Sequence, residues 1–210
     1  MVPGRALGLG GSIADMKALP LWIAVPITVV VSLPFGLWLG VWSLPLWASF
    51  IVWAEYFQLG AKPAALKLMV PGFIAGAIGA GFVCAVSLVI GKVLNNPTAV
   101  STGDIPWFIG MLLAFIPVIY VMKYLPFTSG PGGLCFFNGI SMGLATFFVG
   151  LYGGYGGMKM PDGLEYLVPI ITTIPAILAG ILGAFLGWFN VVIMTPWAKE
   201  PQPAASPAKA

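Results

Sequence analysis

Apolar residues run along this chain in six blocks, at about 20–43, 45–60, 64–93, 105–123, 126–152 and 165–195, divided by short polar or Gly/Pro-rich punctuation. A helix needs about 20 apolar residues to cross the hydrocarbon core of a bilayer. The pattern therefore predicts an all-α integral membrane protein with six transmembrane helices. The second block is the odd one. From Pro45 to Leu59 a helix rising about 1.5 Å per residue covers about 23 Å of a core about 30 Å thick. That block is tilted, broken or re-entrant.

Composition removes the soluble alternatives. Of 210 residues, 60% are apolar and 7% charged, with a mean hydropathy of +1.02, whereas soluble domains carry about 25% charged residues. A membrane domain at 20–195, with half one at about 20–93 and half two at about 105–195, leaves only a tail at 1–19 and a proline-punctuated tail at 196–210, expected to be disordered. A net charge of +3 without a clustered basic face argues against nucleic-acid binding. The basic residues report orientation instead: Arg5, Lys17, Lys62, Lys67, Lys123, Lys199 and Lys209 fall on one side of the predicted map, Lys92 and Lys159 on the other. The positive-inside rule then puts both termini in the cytoplasm, which agrees with an even number of spans.

An internal match divides the chain. Residues 71–82 and 175–186 coincide at Pro71/Pro175, Ala75/Ala179, Gly76/Gly180, Gly79/Gly183 and Ala80/Ala184, and Leu44-Pro45 is echoed by Leu125-Pro126. Two halves of three spans each enter the membrane from opposite sides, so the match predicts inverted repeats, a common plan for transporters. Shared composition of membrane helices is the alternative origin. The small-residue pairs Gly72/Gly76 and Gly139/Gly143, with Gly79, Gly180, Gly183 and Gly187, are expected to let helices approach closely, as internal seams or as a homo-oligomer interface.

Chemistry is sparse. There is no histidine, no nucleophile elbow, no pair of carboxylates at helical spacing and no dinucleotide fingerprint, so neither an enzyme, a cofactor nor a metal site is expected. Cys84 and Cys135 sit in apolar blocks and read as small packing residues. Glu55 is the one acidic residue well inside a block, where a carboxylate is costly enough to be a functional candidate. It either binds a solute or carries a proton, or it pairs with Lys62 or Lys67 near the block's end. Ser49 and Tyr56 flank it on the same block, and Asn138 beside Phe136 and Phe137 suits a small neutral solute because an amide both donates and accepts. These polar groups serve equally as hydrogen bonds between helices. The run from Thr128 and Ser129 to Gly133 opens the fifth block with flexible backbone, tolerated at membrane depth only where it lines a cavity or is buried in protein. Trp22, Trp42, Trp47, Trp107 and Trp197 fall near predicted span ends, as interfacial anchors do. The glycine-tyrosine stretch at 150–157 is expected to be a slack outer connection.

At Trp47-Ala-Ser-Phe50, then Tyr56-Phe57-x-x-Gly60 and Leu66-Lys67, the chain resembles the small bacterial inner-membrane proteins of domain-of-unknown-function family 1097, over about residues 25–192. The resemblance implies a bundle in the bacterial inner membrane and brings no catalytic or ligand residues. The leading expectation is a channel or transporter for a small neutral polar solute such as urea or a short amide, since few buried charges argue against an ion. A proton-coupled carrier using Glu55 and a non-transporting accessory subunit of a larger membrane complex are the alternatives. The expected partners are the lipid bilayer, the solute and further copies of the chain.

Overall fold

The computed structural model describes residues 19–94, 105–149 and 164–194. The predicted tails, Leu19 aside, the stretch at 150–157 and Trp197 lie outside the described residues. Within them every regular element is helical: α1 (Leu21–Leu37), α2 (Leu46–Gln58), α3 (Leu66–Val93), α4 (Ile105–Met122), α5 (Gly132–Val149) and α6 (Val168–Met194). Four of these, α3 with its leading turn, α4, α5 and α6, are long and apolar enough to cross a membrane. The six blocks thus become four helices of spanning length and two shorter ones, in the all-helical architecture of a membrane protein.

Proline opens most of these helices, as its fixed φ and missing N–H favour at a first turn. Pro20 and Pro45 precede α1 and α2 in extended conformations, Pro63 starts the turn into α3, and Pro106 lies in the first turn of α4. The helix ends are set by backbone. At the end of α2, the Gly60 N–H donates to the Phe57 carbonyl at 3.0 Å and the Ala61 N–H to the Tyr56 carbonyl at 2.9 Å, with Gly60 at φ +88°. This paired closure satisfies carbonyls that the helix leaves open and stops it after 13 residues, about 20 Å of rise. The first block is also shorter than expected. Its helix stops at Leu37, a tight turn follows at Gly40–Trp42, and the Leu44 N–H returns to the Phe35 carbonyl at 2.9 Å. In α6 the helix is interrupted at Thr172, where Pro175 has no N–H for the carbonyl four residues back and the Thr172 hydroxyl donates to the Pro169 carbonyl at 2.8 Å.

Helix α3 is the hub, packed against α4, α5 and α6, while α1 and α2 pack on α6. Close approaches fix the directions. Gly72 faces Cys135, Gly76 faces Phe136 and Ala80 faces Gly143, so α3 and α5 run parallel. Gly183 faces Ser49 and Gly187 faces Tyr56, so α2 and α6 also run parallel. Gly79 meets Val118 while Gly110 meets Ser87, and Gly180 meets Phe73 while Gly81 meets Ile170, so α3 is antiparallel to both α4 and α6. Successive helices from α2 to α6 therefore alternate in direction.

The α3–α5 seam has no room for side chains. A Cβ at Gly76 would lie 1.9 Å from the Phe136 carbonyl oxygen, and one at Gly139 would lie 2.1 Å from that of Phe73. Of the two roles open to the glycine faces, Gly72, Gly76, Gly139, Gly143, Gly180 and Gly183 take the internal one, and Gly79 meets a side chain of α4. Trp107 departs from the expected anchor role: it is buried, stacks on Phe147 with ring centroids 6.2 Å apart and meets Phe148 edge-on at 6.3 Å. Trp22 and Trp42 are exposed at helix ends.

Candidate functional site

Helix α2 carries polar residues on two faces. Ser49, Trp53 and Tyr56 follow at intervals of four and three, the spacing of a single helical face, and that face meets α6 at Gly183 and Gly187. Glu55 sits on the flank that meets α5. All four side chains are buried, with Glu55 2% exposed and Ser49 and Tyr56 fully enclosed.

The Glu55 carboxyl group reaches across the helix crossing. The Asn138 side-chain amide donates to Glu55 Oε1, and the Cys135 thiol, one turn earlier on α5, lies beside the same carboxyl. Of the two readings of Glu55 in the sequence, a functional group or an ion pair with Lys62 or Lys67, the ion pair is corrected: the partner is an amide on a neighbouring helix, because α2 closes at Gly60 before the segment bearing Lys62 and Lys67, and both lysines are exposed.

Five buried side-chain atoms lack a hydrogen-bond partner among the described residues: Glu55 Oε2, Tyr56 Oη, Ser49 Oγ and Trp53 Nε1 on α2, and Asn190 Oδ1 on α6. A buried polar group without a partner costs about 1–3 kcal/mol, so native proteins hold few of them. Here four of the five fall on one short helix. Chemically the cluster offers a carboxyl oxygen, two hydroxyls that donate or accept, and an indole that only donates. Glu55 and Cys135 are neighbouring potential metal ligands, but no third His, Cys, Asp or Glu stands with them among the described residues.

The other site candidates from the sequence are placed elsewhere. Phe136 packs with Ala80 and Ile140 on the α3 side of α5, nearly opposite Asn138 on the helical wheel, and Phe137 is 48% exposed on the outside. Neither meets Glu55. The Thr128 hydroxyl is committed to the carbonyls of Leu125, at 2.7 Å, and Met122, at 2.5 Å, and so closes the end of α4. Ser129 is exposed and bonds the Pro126 carbonyl at 3.1 Å. The glycine-rich entry to α5 is thus a turn fastened to α4, and its hydroxyls are used by backbone rather than aimed at α2.

Sequence reasoning left Trp53 out of the cluster and gave Cys135 only a packing role. The spacing from Ser49 through Trp53 to Tyr56 could have found the first; the second depends on the α2–α5 crossing. A second buried polar contact joins α6 to α1, where the Asn190 amide donates to the Thr28 hydroxyl at 2.8 Å and Thr28 donates to the Ala24 carbonyl at 2.9 Å.

No protein-family model matches this chain, and no curated protein or solved structure matches it.

Proposed function

We propose that this chain is a membrane channel or transporter for a small, neutral polar solute such as urea or a short amide, with α2 and α5 forming the constriction. One observation carries the proposal: the unpartnered polar atoms of Ser49, Trp53, Glu55 and Tyr56 all lie on α2, the short helix that carries the Glu55–Asn138 bond. A passing amide supplies both donors and acceptors, offsetting the cost of leaving those atoms bare. The described helices enclose this cluster, so passage requires α2 to shift against α5 or α6, and the arrangement is read as a closed state.

The wider plan belongs to the same proposal: six spans in two inverted halves, both termini cytoplasmic, in a bacterial inner membrane like the proteins of domain family 1097 that the sequence resembles. The cross-packing supports the halves, since the third helix of each packs on the first and second helices of the other. So do two pairs of contacts. Gly76 against Phe136 and Ala80 against Gly143 match Gly183 against Ser49 and Gly187 against Tyr56, four residues apart on the third helices and seven on the second. This spacing pairs Gly76 with Gly183, one turn from the Gly180 of the sequence match.

Stopped-flow swelling of proteoliposomes with urea, acetamide, glycerol and ammonium tests the proposal. Flux of a neutral amide that falls in Asn138→Leu is expected; no flux above empty vesicles with any of the four sinks it. A second reading, a proton-coupled carrier, is favoured by the enclosure of Glu55 with no cation beside it among the described residues. Uptake abolished by uncouplers and by Glu55→Gln is its signature, and uptake indifferent to both removes it.

A further inference from the structure

Helices α3 and α4 touch tightly at one end and part at the other. A Cβ at Gly110 would lie 2.7 Å from the Ser87 Cα, whereas towards the end of α4 the pair opens into a cleft of about 370 Å³. Its α3 wall is Ala75, Ile78, Gly79 and Phe82, a single helical stripe about 10 Å long. Pro117 and Val121 form much of the facing wall. The small side chains of Ala75 and Gly79 create the space, and the lining carries almost no polar atoms.

Through the shared residue Leu125 this cleft adjoins a second cavity, of about 200 Å³, lined by Met122, Lys123, Thr128 and Ser129. Lys123 Nζ sits 3.6 Å from the Tyr120 ring centroid and 4.8 Å from that of Tyr124, and the two phenols are hydrogen-bonded at 3.1 Å. The rings hold the ammonium group in place without neutralising it. Glu55, the one carboxylate whose side chain is described, is engaged with Asn138. A fixed cation therefore stands where α4 ends, at the mouth of a hydrocarbon-lined groove running along the helices.

We propose that this paired cavity binds one anionic phospholipid, with the phosphate at Lys123 and an acyl chain along the α3 stripe. Basic pockets between membrane helices recognise anionic headgroups in this manner. Charge complementarity selects the headgroup, and continuity of the groove selects a lipid over free phosphate, which would leave the apolar cleft uncovered. Ile78 and Phe82 on the α3 wall and Val121 on the α4 wall are exposed, so the groove opens to the surrounding acyl chains.

Native mass spectrometry of the purified full chain, with added phosphatidylglycerol or phosphatidylcholine of identical chains, tests this. Phosphatidylglycerol is expected to be retained about five-fold better, the increment one basic side chain supplies near a membrane surface. Lys123→Gln erases that preference, the equally exposed Lys67→Gln keeps it, and Ala75→Phe reduces retention of both lipids by filling the cleft. Lys123 is exposed, so its variant folds even where Ala75→Phe does not, and it decides the outcome alone. Equal retention of the two lipids, a preference that survives Lys123→Gln, displacement by inorganic phosphate, or a dimer dissociated by Ala75→Phe each overturns the proposal.

Discussion

Gly76 and Asn138 show two ways in which one residue holds neighbouring helices. At Gly76 the contribution is the missing methyl group: Gly76→Ala would press carbon onto the Phe136 carbonyl and force α3 and α5 apart. Overpacking of this kind costs about 3 kcal/mol or more where backbone cannot yield. Thermal unfolding in detergent should show that loss for Gly76→Ala and far less for Gly79→Ala, whose new Cβ meets only a Val118 methyl at 3.0 Å. Equal effects would contradict the seam. Asn138 contributes a bond rather than a space. Interhelical hydrogen bonds in membrane proteins average about 0.6 kcal/mol and reach about 1.7, so Asn138→Ala should destabilise within that range. A double-mutant cycle with Glu55→Ala should return a coupling of the same size, and zero coupling would show that the bond does not form.

At the scale of elements, the short helix α2 is terminated by its own backbone. The Gly60 closure requires positive φ, which costs an alanine about 1 kcal/mol. Gly60→Ala should lower stability by about that amount, and unchanged unfolding would remove the closure as the reason α2 stops. Helix α1 depends on α6 for its place, through the buried Asn190–Thr28 bond. Asn190→Leu should loosen α1 alone, seen as faster hydrogen exchange across 21–37 with α3 and α5 unaffected. The six apolar blocks were legible in the sequence because hydropathy and proline punctuation are local. The end of α1 at Leu37 was not, since the residues beyond it stay apolar and only the turn at Gly40 breaks the helix.

For the whole molecule, the alternating directions make a prediction about sidedness. With Cys84 and Cys135 replaced by alanine, single cysteines at Lys62 and Tyr124 should be labelled from one side of the membrane, and those at Ser43 and Leu94 from the other. Labelling of all four from one side would end the six-span proposal. Most of the candidate cluster was visible beforehand: Glu55 because a carboxylate in an apolar block is costly, Asn138 because an amide there needs a partner, and Ser49 and Tyr56 because they flank Glu55 in the same block. Their meeting was not visible, because 83 residues separate them and only the packing of α2 on α5 closes that distance.

The sequence by itself determined the helical class, the approximate block boundaries and the small-residue faces, because each follows from hydropathy, proline chemistry or side-chain size within a few turns of chain. Only the tertiary structure decided which glycine face meets which helix, that Trp107 is buried rather than an anchor, that Thr128 closes α4, and that Glu55 bonds Asn138 rather than Lys62 or Lys67. A bilayer rewards apolar surface almost without regard to direction. Hydrophobic pattern therefore specifies that these helices form, while backbone contact at glycines and a few buried polar bonds specify which of them touch.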